Sequence, residues 1–328
     1  MPSLLEMPDL VMNLILSKSD FRSILVLRKV CRDLRNFIDD AEPDLQIRSM
    51  EILTVPSKQN NPEISVFFVT KYREHHHILY RKHKSGCQEV CGKRRILMKN
   101  SDYLETFFED MNWIFKHQKS ILKFFGFNLT SQLSEVLEVL KKHPMKMTHL
   151  RVTADKSQIF EILHSTSPEF LKIAELYFVR PGEVSIQELE DLKCWKSLEE
   201  FYTENLVILG SVMNLGHFSK ALVTILQVTQ EELFVMKEKF LNSPKFQKFV
   251  VHYKHFGEEG ISDWGRDIHE FRKLLEIFGA PNVDGGRYGK KKWYFRIPNS
   301  EDVLCFSFCR QHSEFIRLPL SSIPERAI

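Results

Sequence analysis

The chain has 328 residues, which at roughly 150 per domain leaves room for about two domains and an ample core. Hydrophobic residues make up 43% and charged residues 27%, close to ordinary globular usage, which excludes wholesale disorder and collagen-like or low-complexity architectures. The net charge of +3 is unevenly spread: residues 71–99 carry nine Lys or Arg against Glu74 and Glu89, residues 287–296 carry five with no acid, and everything else sums to about −9. Two basic stretches on an acidic body are either solvated faces or a contact with something acidic.

Residues 1–42 read as helix, turn, helix, helix. Ser3 and Glu6 fit a capping box, Pro8 and Asp9 suit a first helical turn, and Leu10, Val11, Leu14 and Ile15 place apolar residues on one face. After Ser19 as an N-cap, Phe21, Ile24, Leu25, Leu27, Val30, Leu34, Phe37 and Ile38 keep the helical period, with arginines opposite. About 40 residues cannot bury that many large side chains alone, so the stripe predicts a partner.

Residues 43–118 change character. Ile47–Val55, Ile64–Tyr72 and Ile78–Lys82 are β-branched and aromatic runs, which predicts a small antiparallel sheet. A helix from about Ser101 to Phe125 is expected to bridge into a second domain. From there strands and helices alternate, with strand positions near 149, 174, 199, 221 and 248. One strand plus one helix every 20–29 residues is the period of leucine-rich repeats, although no leucine ladder recurs. A helix at Asp267–Phe278 and a hairpin of Lys292–Pro298 with Val303–Cys309 are expected to cap the open end.

Two sets of residues carry a family resemblance. Met7-Pro8-Asp9-Leu10-Val11-Met12, then Leu27-Arg28-Lys29-Val30-Cys31-Arg32, then Phe37-Ile38-Asp39 closely resemble an F-box. Leu192–Lys196, Phe240–Phe246 and Phe295–Leu304, with Tyr80–His83 and Gly86-Cys87, resemble the FTH domain that accompanies the F-box in the nematode F-box A family. The fold class this implies is α/β: a small all-α F-box over 1–42, a β-rich middle segment with its bridging helix over 43–118, and a leucine-rich-repeat-like FTH domain over 119–328. The F-box implies docking onto the Skp-type adaptor of a Skp–cullin–F-box ubiquitin ligase, and through it a cullin, with the second domain selecting an unknown protein substrate. The adaptor-binding residues this reading picks out are Met7, Pro8, Val11, Ile15, Leu16, Leu27, Val30, Cys31, Leu34 and Phe37, with Cys31 as a small buried hydrophobe and not a nucleophile. Met7 stands where Leu is commoner, and Leu10 where many F-boxes carry an acid. No catalytic residue, cofactor or metal is expected.

Other constellations are weighed against blander readings. His75, His76, His77, His83, Cys87 and Cys91 offer zinc-type ligands, but their spacing along predicted strands points to a basic hairpin instead. Gly285–Lys291 lacks the glycine spacing, the Ser or Thr and the following helix of a phosphate loop. Lys290–Lys292 beside Trp293, Tyr294 and Phe295 would suit single-stranded bases, so the alternative function is a non-degradative adaptor that binds RNA, or an RNA-binding protein, through 71–99 and 287–296. No nucleophile elbow, dinucleotide fingerprint, kinase signature or His-Glu-x-x-His is present, which argues against an enzyme. Six sparse cysteines predict reduced thiols. The longest uncharged run, Asn205–Ser219, is too short to span a bilayer, and Glu6 and Asp9 precede the first basic residue, Lys18, so a cytoplasmic or nuclear protein without a membrane span is expected.

Overall fold

Three short helices open the chain as its periodicity requires: Asp9–Lys18 (α1), Phe21–Arg28 (α2) and Arg32–Ala41 (α3). They belong to a computed structural model that describes residues 6–55, 63–128, 133–257, 267–285, 290–309 and 311–323. Ser3, half of the expected capping box, lies outside the described residues. Pro8 sits at the N-cap of α1 and its carbonyl takes the first helical bonds, from Val11 and Met12. The N-cap of α2 is Asp20 and not Ser19. Asp20 accepts from the Ser23 N–H at 2.7 Å, whereas the Ser19 hydroxyl bonds back to the Ile15 carbonyl at 2.8 Å.

The chain divides into two units, 1–171 and 172–328. In the first, the sheet runs β5-β4-β3-β2-β1-β6-β7, from Ile47–Val55 (β1), Glu63–Thr70 (β2), His75–His83 (β3), Gly86–Cys91 (β4), Arg94–Lys99 (β5), Phe124–Asn128 (β6) and His149–Ala154 (β7). Strands β1 to β5 form an antiparallel meander, and β6 joins β1 and β7 in parallel. One face of the meander, with Ile52, Val66, Phe68, Ile78 and Tyr80, is buried. Against it pack the first helices and Tyr103–His117 (α4), which buries Phe107, Met111 and Ile114. The rest of the unit's helices are Leu133–Lys142 (α5) and Lys156–Ser165 (α6).

The expected bridging helix is therefore shorter than its apolar pattern suggests. It stops at His117, where Gln118 turns its side chain onto β1, accepting from the Ile47 N–H and donating to the Ile47 carbonyl, both at 3.0 Å. Phe124 and Phe125, read as the end of that helix, begin β6. The three opening helices and the middle sheet, expected as separate segments with boundaries at 42 and 118, share this unit. Phe21 of α2 packs on Phe68 of β2 with ring centroids 5.0 Å apart, and Trp113 of α4 donates to Asp39 of α3 at 2.7 Å.

In the second unit the order is β8-β9-β10-β11-β15-β14-β13-β12. Ile173–Ser185 (β8), Glu200–Leu209 (β9), Lys220–Val228 (β10) and Lys248–Phe256 (β11) are parallel. Val283–Asp284 (β12), Lys291–Arg296 (β13), Asp302–Cys309 (β14) and His312–Pro319 (β15) complete the sheet antiparallel. Ile186–Glu190 (α7), Gln230–Leu241 (α8) and Asp267–Phe278 (α9) accompany them. Side chains alternate as strands dictate: Phe201, Val223, Ile225, Phe249 and Val251 are buried, with Phe240 of α8 against Phe246 and Phe249 at 3.9 and 5.4 Å. Every strand position expected from the period falls in or at the edge of β7 to β11. What the fold supports is a mixed α/β chain with N-terminal helices and extensive sheet; β8 and β9 lose their regular register, and four antiparallel strands follow the parallel ones, unlike a uniform array of leucine-rich repeats.

Candidate functional site

Residues 6–30 keep several large apolar side chains exposed. In α1, Met12 and Leu16 are buried, so the helix is anchored by the face that carries them. Its opposite side leaves Leu10 83% and Leu14 60% exposed, one turn apart, with Val11 beside them 39% exposed. A helix that is apolar on both sides is half anchored and half open. In α2, Phe21 and Ile24 turn inward, while Val26, and Val30 in the turn that follows the helix, are 47% and 64% exposed. Val26 and Leu27 line a cleft of about 710 Å³ with Asp20, Glu74, His75 and His76.

The framework behind this surface is polar and well tied. Arg28 of α2 donates through Nε and Nη2 to Asp39 of α3 at 2.8 and 3.1 Å, and its guanidinium lies 4.8 Å from the centre of the Trp113 ring. Trp113 stacks in turn on His117 at 4.3 Å. Burial pushes the Asp39 carboxyl up, but the hydrogen bonds from Arg28 and Trp113 outweigh it and hold the group below the usual carboxylate range. Beneath α2, Lys29 reaches Glu89 at 3.8 Å, and Tyr80 donates to Asp110 at 2.7 Å. Burial raises both carboxyls above their ordinary values.

The ten residues singled out by resemblance divide by burial. Pro8, Val11 and Val30 are exposed, and Met7, Ile15, Leu27, Cys31 and Phe37 are half-buried. Leu16 and Leu34 are instead core residues, 2% and 5% exposed, so they hold the helices to their own chain. Cys31 departs from its expected role as well. Its Sγ, half-buried, accepts from the Leu34 N–H at 3.5 Å as the N-cap of α3. Leu10, Leu14 and Val26, outside those ten, are exposed as well; the i, i+4 pair of leucines is visible in the sequence, but the period alone does not say which stripe of a two-sided helix turns inward.

The remaining candidates are dispersed. His77 stacks on Phe67 at 4.4 Å on one face of the sheet, while Cys87 lies in the core on the other. Among the described residues no group of three or more His, Cys, Asp or Glu could hold a metal ion. Trp293, offered for base stacking, is 1% exposed and donates to the Gly279 carbonyl at 2.9 Å. Lys291 bonds to Asp284 and lies 4.9 Å from the Phe271 ring, so it is engaged within the fold; residues 287–289 lie outside the described residues.

The second unit offers a different surface. One side of its parallel strands faces the helices; on the other, Tyr177, Tyr202, Leu222, Thr224, His252 and Lys254 surround a cleft of about 610 Å³. The cleft sits where β8 and β9 lose register, between Tyr177 and Gly182. Asn205 adopts φ 61° there and its Nδ2 donates to the Phe178 carbonyl at 3.1 Å, which fixes the irregularity. The two tyrosines are held upright by carboxylates of their own strands, Glu175 at 3.1 Å and Glu200 at 2.7 Å.

Comparison with known proteins agrees with these placements. The F-box domain family model matches residues 4–45, and the FTH domain family model matches residues 127–263. An F-box domain and an FTH domain are both present in the chain. The F-box match covers α1 to α3, and the FTH match runs from β6 through β11. A relative in Caenorhabditis elegans, F-box A protein 224, is 24% identical over 272 residues, covering 77% of this chain and 67% of the relative. The expected resemblance to the F-box A family is borne out by both domains and by this relative. No described helix is long and apolar enough to cross a membrane.

Proposed function

We propose that this protein is the substrate-recognition subunit of a Skp–cullin–F-box ubiquitin ligase, docking on the Skp-type adaptor through its F-box and presenting a protein target through its FTH domain. The observation that carries the reading is the exposed apolar set Leu10, Val11, Leu14, Val26 and Val30 on a helical segment matched by the F-box model. An amphipathic helix with an open apolar face is a ligand for a groove, and each large side chain it buries contributes roughly 1.5–3 kcal/mol before ordering costs. Met7, Pro8, Ile15, Leu27, Cys31 and Phe37 flank that set as the docking rim; Leu16 and Leu34 support it from within. In this reading the transfer chemistry belongs to other subunits, and the chain supplies no catalytic residue or cofactor.

The target is assigned to the open face of the second unit, read as a leucine-rich-repeat-like reader. Tyr177 and Tyr202 supply rigid amphipathic contacts of the kind enriched at protein interfaces, with Leu222 and His252 beside them. The test is co-expression with the Skp-type adaptor and affinity capture, repeated with Leu14→Asp plus Val30→Asp. Capture by the native chain and its loss in a variant of unchanged melting temperature is the expected result. A folded native chain that fails to retain the adaptor overturns the proposal.

A further inference from the structure

We propose that the outer edge of β5 is a second docking site, one that takes an extended acidic segment of a partner protein as an added antiparallel or parallel strand. The site lies outside both surfaces above and does not depend on adaptor docking. Strand β5 ends the sheet of its unit, and five of its six residues, Arg94, Arg95, Ile96, Leu97 and Lys99, are exposed. The Asn100 N–H donates to the Ser85 carbonyl at 2.9 Å, directly after the strand. In an antiparallel pair the bonding direction alternates, so even-numbered positions of β5 bond to β4, and Arg95, Leu97 and Lys99 turn their N–H and C=O outward. Three donors and three acceptors therefore stand in a row with no strand beside them among the described residues.

Charge selects the occupant. Glu89 is the only acid between His75 and Ser101, and it is buried and faces Lys29. Lys82, Lys84, Lys93, Arg94, Arg95 and Lys99 have no carboxylate partner among the described residues. Arg95, Leu97 and Lys99 share one face of the strand, so an added strand meets cation, apolar, cation at every second residue. The complementary segment reads acid, apolar, acid at the same spacing, with main-chain bonds supplying affinity and the alternate side chains specificity. Basic residues on an edge also deter self-pairing, because two copies of β5 repel each other, whereas an acidic strand is admitted. RNA is the less favoured occupant: phosphates would use the charges but leave the outward N–H and C=O row idle, and Phe67 on the adjoining face is already stacked on His77.

The test is fluorescence anisotropy of the full chain with a labelled ten-residue peptide of repeating Glu-Ser-Val-Ser, which sets acid, apolar, acid along one face, beside the same peptide N-methylated at alternate amides and a ten-nucleotide oligouridine. Expected are saturable binding of the first peptide and at least about a tenfold loss on N-methylation, which keeps the charges and removes the main-chain donors. Leu97→Pro removes one outward N–H without touching the bonds to β4 and is expected to weaken binding about tenfold with the melting temperature nearly unchanged. Arg95→Glu plus Lys99→Glu is expected to do the same. Equal binding of the methylated peptide, tighter binding of oligouridine, or no binding of the acidic peptide at about 1 mM overturns the proposal.

Discussion

Truncating Leu10 and Leu14 to Ala separates the docking surface from the core more cleanly than any other change. Their exposures of 83% and 60% leave between them well over one leucine side chain's worth of apolar surface for a partner to cover. At roughly 1.5–3 kcal/mol for a fully buried leucine, and with the β-carbons retained, the double variant is expected to lose about 1.5–3 kcal/mol of adaptor binding, or about 10- to 150-fold in Kd. The same substitution at Leu34, 5% exposed, is expected to cost about 2–5 kcal/mol of folding stability. Titration calorimetry against the Skp-type adaptor reads the first effect, and urea unfolding of the free chain reads the second. Because the surface is apolar, the native Kd is expected to change little between low and physiological salt. A double variant whose Kd stays within about twofold of native, at unchanged stability, refutes the assignment of the outer side of α1 as the docking face.

Four further outcomes follow from the framework. Asp39 has a folded value below the ordinary carboxylate range, so its contribution to stability is complete above about pH 4 and disappears as pH falls through that lowered value; Asp39→Asn is expected to lessen the acid dependence of unfolding in that window. Asp110 has the opposite sign. Its raised value means that the unfolded chain ionises it more easily, so Asp110→Asn is expected to gain stability relative to native as pH rises above about 4 and to show no such gain below it, measured by unfolding at a series of pH values. Gly86 holds φ +143°, and a β-carbon there would stand 2.0 Å from the Met98 carbonyl oxygen, so Gly86→Ala is expected to cost more than about 2 kcal/mol in thermal unfolding. Tyr202→Ala on the open face of the second unit is expected to leave adaptor capture intact and to reduce recovery of a bound target, read by quantitative capture with and without the substitution.

The elements legible from the chain are those whose pattern is decided locally. The three opening helices, β1, the helix at Asp267–Phe278 and the alternation from β7 to β11 all follow from spacing that one strand or one helix turn can satisfy by itself. What escaped depends on partners distant in sequence. Phe124 and Phe125 continue the apolar period of α4, and only their pairing with Ser49 and Met50 makes them a strand. Strand β15 is a run of mixed polarity, His312–Pro319, whose extended form rests on pairing with both β14 and β11. Strand β4 is legible only as part of the basic hairpin that holds Cys87 and Cys91, and β5 not at all, because Gly86–Cys91 and Arg94–Lys99 carry few strong strand formers and much charge, yet a two-residue turn and the β3 template extend the meander through them.

The site was legible in the same partial sense. Motif and spacing single out the segment proposed to dock, but the motif does not distinguish side chains left exposed for a partner from those that hold the helices. That distinction is made by the neighbours. Phe68 draws Phe21 and its face of α2 inward, Asp39 ties α2 to α3 and to Trp113, and Val26 and Val30 are left outside. Leu16 and Leu34 turn inward by the same logic, which is why an acidic substitution at Leu34 would report on folding and not on docking. A stripe that looked surplus to a 40-residue module is thus divided between two clients: the sheet of its own unit takes Met12, Leu16, Phe21, Ile24, Leu34 and Ile38, and what remains, Leu10, Val11, Leu14, Val26 and Val30, is too much apolar surface on too short a segment to be explained by scattered exposure.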